Sequence, residues 1–229
     1  MNAAMEGLKN LRNRHGDWLL TLLTALVILM MFVFAPLQAA GHLVFQGLAV
    51  GGLMAIIGGM LIISASRLAL ALMSIALLAN GCVFFWRLNQ PPWPHDLYLI
   101  AGGWLVVSLT LGTVIAKAVF RRGIITYHRI IGAIMLYLLI ALTFATLFAF
   151  VGLTIPSSFK GIVFEEEPTL VNSIIYLSFV TLTSTGYGDI VPVHPLARSL
   201  CNLEAVIGQL FPATLLARLV TLHNQEGRD

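Results

Sequence analysis

The sequence predicts an all-α membrane protein, a four-helix transmembrane bundle followed by a two-helix module that holds a re-entrant helix. Three observations carry that expectation. Hydrophobic residues make up 59% of the 229 residues and charged ones 10%, with a mean hydropathy of +0.92, whereas a soluble domain is about 25% charged. Six apolar stretches approach the roughly 20 residues that a helix needs to cross a bilayer. A further one near the carboxyl end is too short to cross and lies between two long ones.

Residues 1–16 form a short polar, amphipathic lead suited to the cytoplasmic interface. The bundle occupies 17–122, with spans at 17–36, 44–66, 68–86 and 97–119. The first apolar core exceeds the roughly 7–15 residues of a signal-peptide core, which argues against cleavage after Gln38-Ala39-Ala40. In the second span Gly47-x-x-x-Gly51 and Ala55-x-x-x-Gly59 place small residues on one face, as close helix packing requires. Asn80, a lone amide in the third span, is expected to hydrogen-bond across helices. A basic linker, 123–129, leads to the module at 130–222. That module divides into an outer helix 130–153, a turret 154–169 with Pro156, Pro168 and Glu165-Glu166-Glu167, a short helix 170–183, a loop 184–189 and a last span 196–222. A polar tail, 223–229, follows and holds no ligand-binding domain.

Charge fixes the expected orientation. Six crossings put both termini on one side. Lys9, Arg12 and Arg14 precede the first span, Arg67 lies between the second and third, and Arg121, Arg122 and Arg129 follow the fourth. The opposite loops hold Asp96, Glu165, Glu166, Glu167 and Asp189 against Arg87, Lys160 and Arg198. The positive-inside rule therefore puts both termini in the cytoplasm of a multi-pass protein of the cell membrane, with lipid as its surroundings. The sequence pI of about 9.1 follows from this asymmetry and does not call for nucleic acid. Cys82 and Cys201 fall inside spans, which suggests neither a disulfide nor a metal site. No clustered ligands and no nucleophile with its base suggest an enzyme or a resident cofactor.

The short helix runs into Thr181-Leu182-Thr183-Ser184-Thr185-Gly186-Tyr187-Gly188-Asp189. This stretch resembles the selectivity filter of the bacterial six-transmembrane potassium channels, members of the tetrameric P-loop cation channel superfamily. There, backbone carbonyls from four subunits replace the water that potassium sheds. Glycines permit the backbone angles that aim successive carbonyls inward. The resemblance implies a homotetramer that binds K+ through Ser184, Thr185, Gly186 and Tyr187, with Gly188 completing the filter and Thr183 and Asp189 supporting it. Serine at 184 keeps the innermost hydroxyl but lacks the methyl that restrains threonine's rotamer. Thr185 replaces valine, and its side chain is expected behind the ion path. Tyr176 and Phe179 stand where the best-known channels carry tryptophans, and are expected to pack around the filter. The carboxyl end of the short helix, capped at its start by Thr169, favours a cation in the central cavity.

The last span resembles the inner helix of the same channels. Arg198 stands nine residues after Asp189, and Gly208 falls where a hinge glycine is usual. Pro212 cannot bond the carbonyl four residues back, which belongs to Gly208, so one turn is weakened twice. Gln209, Pro212 and Leu216 share a face, which is assigned to the cavity. Glu204 is a carboxyl group at membrane depth and is expected behind the filter.

Four spans ahead of such a module also resemble voltage-gated channels, but the fourth offers only Lys117, near one end. A voltage sensor needs about three to four moving charges per subunit. The expected function is passive potassium conduction without strong voltage gating. A weakly selective monovalent cation channel and a non-conducting regulatory subunit are the alternatives. A potassium transporter subunit fits less well, since such chains carry four pore loops and this one has a single loop.

Overall fold

The computed structural model of the chain describes residues 20–39, 67–89, 95–120, 127–164 and 169–226. The first helix, α1, is long and apolar enough to cross a membrane over Leu20–Leu37. Pro36 has no N–H for the helical ladder. In the turn ahead of it, Met30–Phe34, the chain widens to π geometry, with the Ala35 N–H on the Met30 carbonyl. Helix α2 is Arg67–Asn89 and α3 is Asp96–Val119. The expected second span with its small-residue motifs, the lead 1–16, Arg121, Arg122 and the run Glu165–Glu167 lie outside the described residues.

The corner between α2 and α3 is closed by two charges that the sequence had assigned singly to a loop. Arg87 Nε lies 3.0 Å from Asp96 Oδ2, and Asp96 is only 2% exposed. A carboxylate in the first turn of α3 also suits the positive end of the helix dipole. Further along, Asn80 packs on Gly103 of α3 so closely that a Cβ there would fall 2.7 Å from the amide carbon. Its amide oxygen does not make the expected interhelical bond: Oδ1 is buried with no partner among the described residues.

Helix α4, Tyr127–Thr154, begins three residues before the expected 130 and takes in the end of the linker. It is the axis of the packing. Within its apolar window 61% is buried, against 28% for α3. One side and end meet α3 in a cluster that takes in Val107, Leu111, Ile115 and Met135 and extends to Leu23 and Val27 of α1 and Met73 of α2. The rest packs Phe144, Phe148 and Val151 against Phe159, Ile174, Leu177 and Cys201. Tyr98 of α3 donates to the Leu153 carbonyl at 2.7 Å, which fixes the start of α3 beside the end of α4.

After α4 the turret is not only a loop. A two-residue strand β1, Phe159–Lys160, pairs antiparallel with β2, Val191–Pro192, in the register Phe159↔Pro192 and Lys160↔Val191. Phe159 is buried and meets Phe148 edge-on at 5.6 Å, so the ladder is held from below by the core. Between the strands come the short helix α5, Leu170–Leu182, and the motif; α6, Pro195–Glu226, follows. Pro195 opens α6 where its missing N–H is harmless. His194 precedes it as a cap, its Nδ1 accepting the Leu196 N–H at 3.2 Å. Helix α6 continues through Pro212 without a break. The result is an all-α membrane protein with, among the described residues, one minimal ladder.

Candidate functional site

The motif begins where α5 ends. Thr169 stands at the N-cap of α5, but its side chain makes no capping bond; its carbonyl accepts the Ser173 N–H at 2.9 Å. At the other end the chain turns back on the last carbonyls. The Thr183 N–H reaches Phe179 O at 3.0 Å, the Ser184 N–H reaches Thr181 O at 2.9 Å, and the Thr185 N–H reaches Val180 O at 2.9 Å. These bonds use up helix carbonyls that would otherwise lack partners. They also anchor the inner end of an otherwise extended segment.

Backbone angles then alternate. Ser184, Gly186 and Gly188 have φ of +56°, +57° and +82°, while Thr185, Tyr187 and Asp189 between and after them do not enter the left-handed region. Successive peptide planes therefore flip. The two glycines take these values freely. Ser184 takes one against the usual preference of a residue with a Cβ.

Side chains tie the segment at both ends. Thr183 Oγ1 donates to Phe179 O at 2.7 Å and lies 2.8 Å from Thr185 Oγ1. Since the Thr183 hydrogen is engaged, Thr185 donates to Thr183, which directs the Thr185 hydroxyl back toward α5. At the outer end the Tyr176 hydroxyl donates to Asp189 Oδ2 at 2.7 Å. The Tyr176 and Tyr187 rings lie nearly parallel, 4° apart, with centroids at 6.2 Å. That hydrogen bond holds the Asp189 carboxyl below the usual carboxylate range, against a weaker opposing effect of partial desolvation. Phe179 does not join this arrangement. Its ring meets Phe32 of α1 at 5.0 Å, so it fastens the bundle to the back of α5.

The turret comes close to the outer end. Gly161, at φ +91°, lies against the Asp189 carbonyl, and a Cβ there would also sit 3.2 Å from Ile190 Cα. The Ser158 carbonyl accepts Val193 N–H at 2.8 Å and His194 N–H at 3.2 Å. Arg198 Nε donates to the Pro192 carbonyl at 3.2 Å, which links α6 to β2 and not to the motif itself.

Behind the motif, α6 packs on α5 through Ala197, Cys201, Glu204 and Gly208, a spacing of four, three and four residues. Glu204 is fully buried. The Ser178 hydroxyl contacts Glu204 Oε1 and lies 2.7 Å from the Ala141 carbonyl of α4, so one buried cluster joins α4, α5 and α6. At Gly208 the helices touch through backbone. A Cβ would fall on the Leu182 carbonyl, 2.7 Å from its carbon. Tyr137 of α4 points its hydroxyl at the same carbonyl, 3.5 Å away. Gln209, Pro212 and Leu216 are exposed on the flank of α6 next to that packed face, and Gln209 Nε2 donates to Ser184 Oγ at 3.1 Å.

Thus Thr183, Ser184, Thr185, Gly186, Tyr187, Gly188, Asp189, Tyr176 and Gln209 are brought together, with Glu204 and Gly208 directly behind them. Arg198 stands a ladder away, and Pro212 and Leu216 lie further along α6. Sequence reasoning missed Ser178, Tyr137 and Gly161. Only Gly161, a glycine in a turret that must turn back, left a signal.

Comparison with known proteins bears on the same half of the chain. Residues 132–224, which are less than half of it, match a family model described as an ion channel. Two curated relatives are both called Protein LctB. The one from Bacillus caldotenax is 36% identical over 56 residues, 24% of this chain and 41% of the relative. The one from Geobacillus stearothermophilus is 37% identical over 65 residues, 28% of this chain and 45% of the relative. The match thus spans less than half the length of either. No solved structure matches the chain. The segment that resembles the ion-channel model covers α4 to α6, and the long apolar helices are those of an all-α membrane protein.

Proposed function

We propose that the chain is a subunit of a potassium-selective channel, four copies of which enclose one pore. The observation that carries this reading is the alternation of φ at Ser184, Gly186 and Gly188 within a motif anchored to the carboxyl end of α5. Alternating planes let consecutive carbonyls point to one side, and a ring of such carbonyls can replace potassium's hydration shell. One such segment cannot encircle an ion, so the reading requires several copies. The poor burial of α6 supports this: only 17% of its apolar window is buried within one chain. Potassium is the permeant ion bound by Ser184, Thr185, Gly186 and Tyr187, no cofactor takes part, and conduction is passive. In the cell membrane the Asp189 end faces outward and both termini face the cytoplasm.

The test is potassium flux into proteoliposomes. Gly186→Ala adds a Cβ at φ +57° and should abolish flux while leaving insertion and assembly intact. Wild-type flux through the assembled variant would remove the filter assignment. A weakly selective monovalent cation channel is the second reading, and Ser184 is the observation that favours it, because a serine rotamer is less restrained than a threonine one. Reversal potentials in opposed potassium and sodium gradients decide between the two.

A further inference from the structure

We propose that Gln209 is the positioning residue for the innermost ion site, its amide holding the Ser184 hydroxyl in the rotamer that coordination needs. The inference rests on the channel reading above and goes beyond it by giving a cavity-face residue a defined task.

The two neighbouring hydroxyls of the motif are fixed from within it. Thr183 is tied to Phe179, and Thr185 is tied to Thr183. Each also has a β-methyl that restrains χ1. Ser184 has neither. Among the described residues, the one side-chain partner of its Oγ is Gln209 Nε2, 25 residues away on another helix, at 3.1 Å. The backbone of Ser184 is also the one non-glycine in the motif at positive φ, and the rotamers open to a side chain depend on its backbone angles. What the motif does not supply, α6 does.

The reach of Gln209 depends on its neighbour. Gly208 lets α6 lie against the Leu182 carbonyl where a Cβ would not fit. The next residue is thereby carried to the base of the motif, on the face of α6 that is exposed in a single chain. An amide N–H occupies one lone pair of the Ser184 oxygen and leaves the other for a cation, and the amide holds the oxygen in place between ions. Gln209 does not itself have to touch the ion.

A divalent cation of potassium's size, Ba2+, entering from the cavity side reports on the innermost site. In planar bilayers, Gln209→Leu should weaken cavity-side Ba2+ block at least about fivefold, the equivalent of one neutral hydrogen bond of about 1 kcal/mol, because every subunit of the pore loses its bond. Block from the Asp189 side should not change. Ser184→Thr restores the methyl, so in that background Gln209→Leu should have little effect. An unchanged block in the single variant, or the same shift in both backgrounds, would overturn the proposal, because the amide would then not act through Ser184. Should Gln209→Leu assemble but carry no current, return of current in the Ser184→Thr double variant supports the proposal and continued silence refutes it. Absence of potassium current from the wild type is a different failure and would fall on the channel reading instead.

Discussion

Asp189 and Tyr176 form a contact whose pH dependence has a defined sign. The hydroxyl of Tyr176 stabilises the carboxylate, and Asp189 accordingly stays ionised to lower pH than a free aspartate. Whatever stability this contact adds to the outer end of the motif is present above the usual carboxylate range and is lost as pH falls through the lowered value. Conduction should therefore hold through neutral and mildly acid conditions. Tyr176→Phe removes the donor but keeps a ring to lie against Tyr187, so the acid limb of the current should move to higher pH. An acid limb in the same place would mean that Tyr176 acts only through packing. Glu204 gives a second residue-scale prediction. The Ala141 carbonyl can only accept, so it takes the single hydrogen of the Ser178 hydroxyl. The hydrogen in the Ser178–Glu204 contact then comes from the carboxyl group. Glu204→Gln supplies the same donor and should assemble with a melting temperature within a few degrees of wild type, whereas Glu204→Lys buries an unpaired charge and should cost about 3–5 kcal/mol. Loss of assembly in Glu204→Gln would show that an ionised carboxylate is required.

At the scale of elements, α6 was legible in sequence as a helix with a weak turn, yet the sequence could not say what Gly208 touches. Its neighbour is the Leu182 carbonyl, so Gly208→Ala changes the distance between α6 and α5 as well as the stiffness of α6. Overpacking there should destabilise the assembled protein by about 1–3 kcal/mol, read as a lower melting temperature. Pro212→Ala restores the bond to Gly208 without touching α5, and is the cleaner probe of bending. If bending opens the pore, open probability should fall while the potassium-to-sodium permeability ratio stays constant; an unchanged open probability would make the Pro212 turn static. The same distinction explains what reading the chain could reach. Helices came from apolar length, and the motif came from nine adjacent residues. Both are local. The β1–β2 ladder and the Ser178–Glu204 cluster join residues far apart in the chain, the Arg87–Asp96 pair bridges two helices across their corner, and each depends on how elements meet. Phe179 is the instructive case. Its position in α5 resembles one that faces the filter, but the presence of α1 behind α5 gives its ring a partner in Phe32.

For the molecule as a whole, the question is what the segment before α4 contributes to gating. In α3, Val107, Leu111, Ile115 and Val119 are buried and pack with Met135, Leu136 and Leu139 of α4. A helix that responds to voltage would need basic side chains along its length and room to slide. The face of α3 that packs on α4 carries no charge, and its start is tied down by the Arg87–Asp96 pair and by Tyr98 on the Leu153 carbonyl. Lys117, in the last turn, is exposed. No charged residue occurs over 44–66. One charge crossing the entire field is worth about 2.3 kcal/mol per 100 mV, or roughly a 50-fold change in the ratio of open to closed channels. Lys117 starts near one end and would cross only a fraction of it, whereas three charges per subunit in a tetramer would supply tens of kcal/mol. Open probability in symmetric potassium should therefore vary by much less than 50-fold per 100 mV for each subunit that moves, and Lys117→Gln should leave the slope of that dependence unchanged. A steep dependence that survives Lys117→Gln would place the sensor elsewhere, and one abolished by it would show that α3 moves despite its packing.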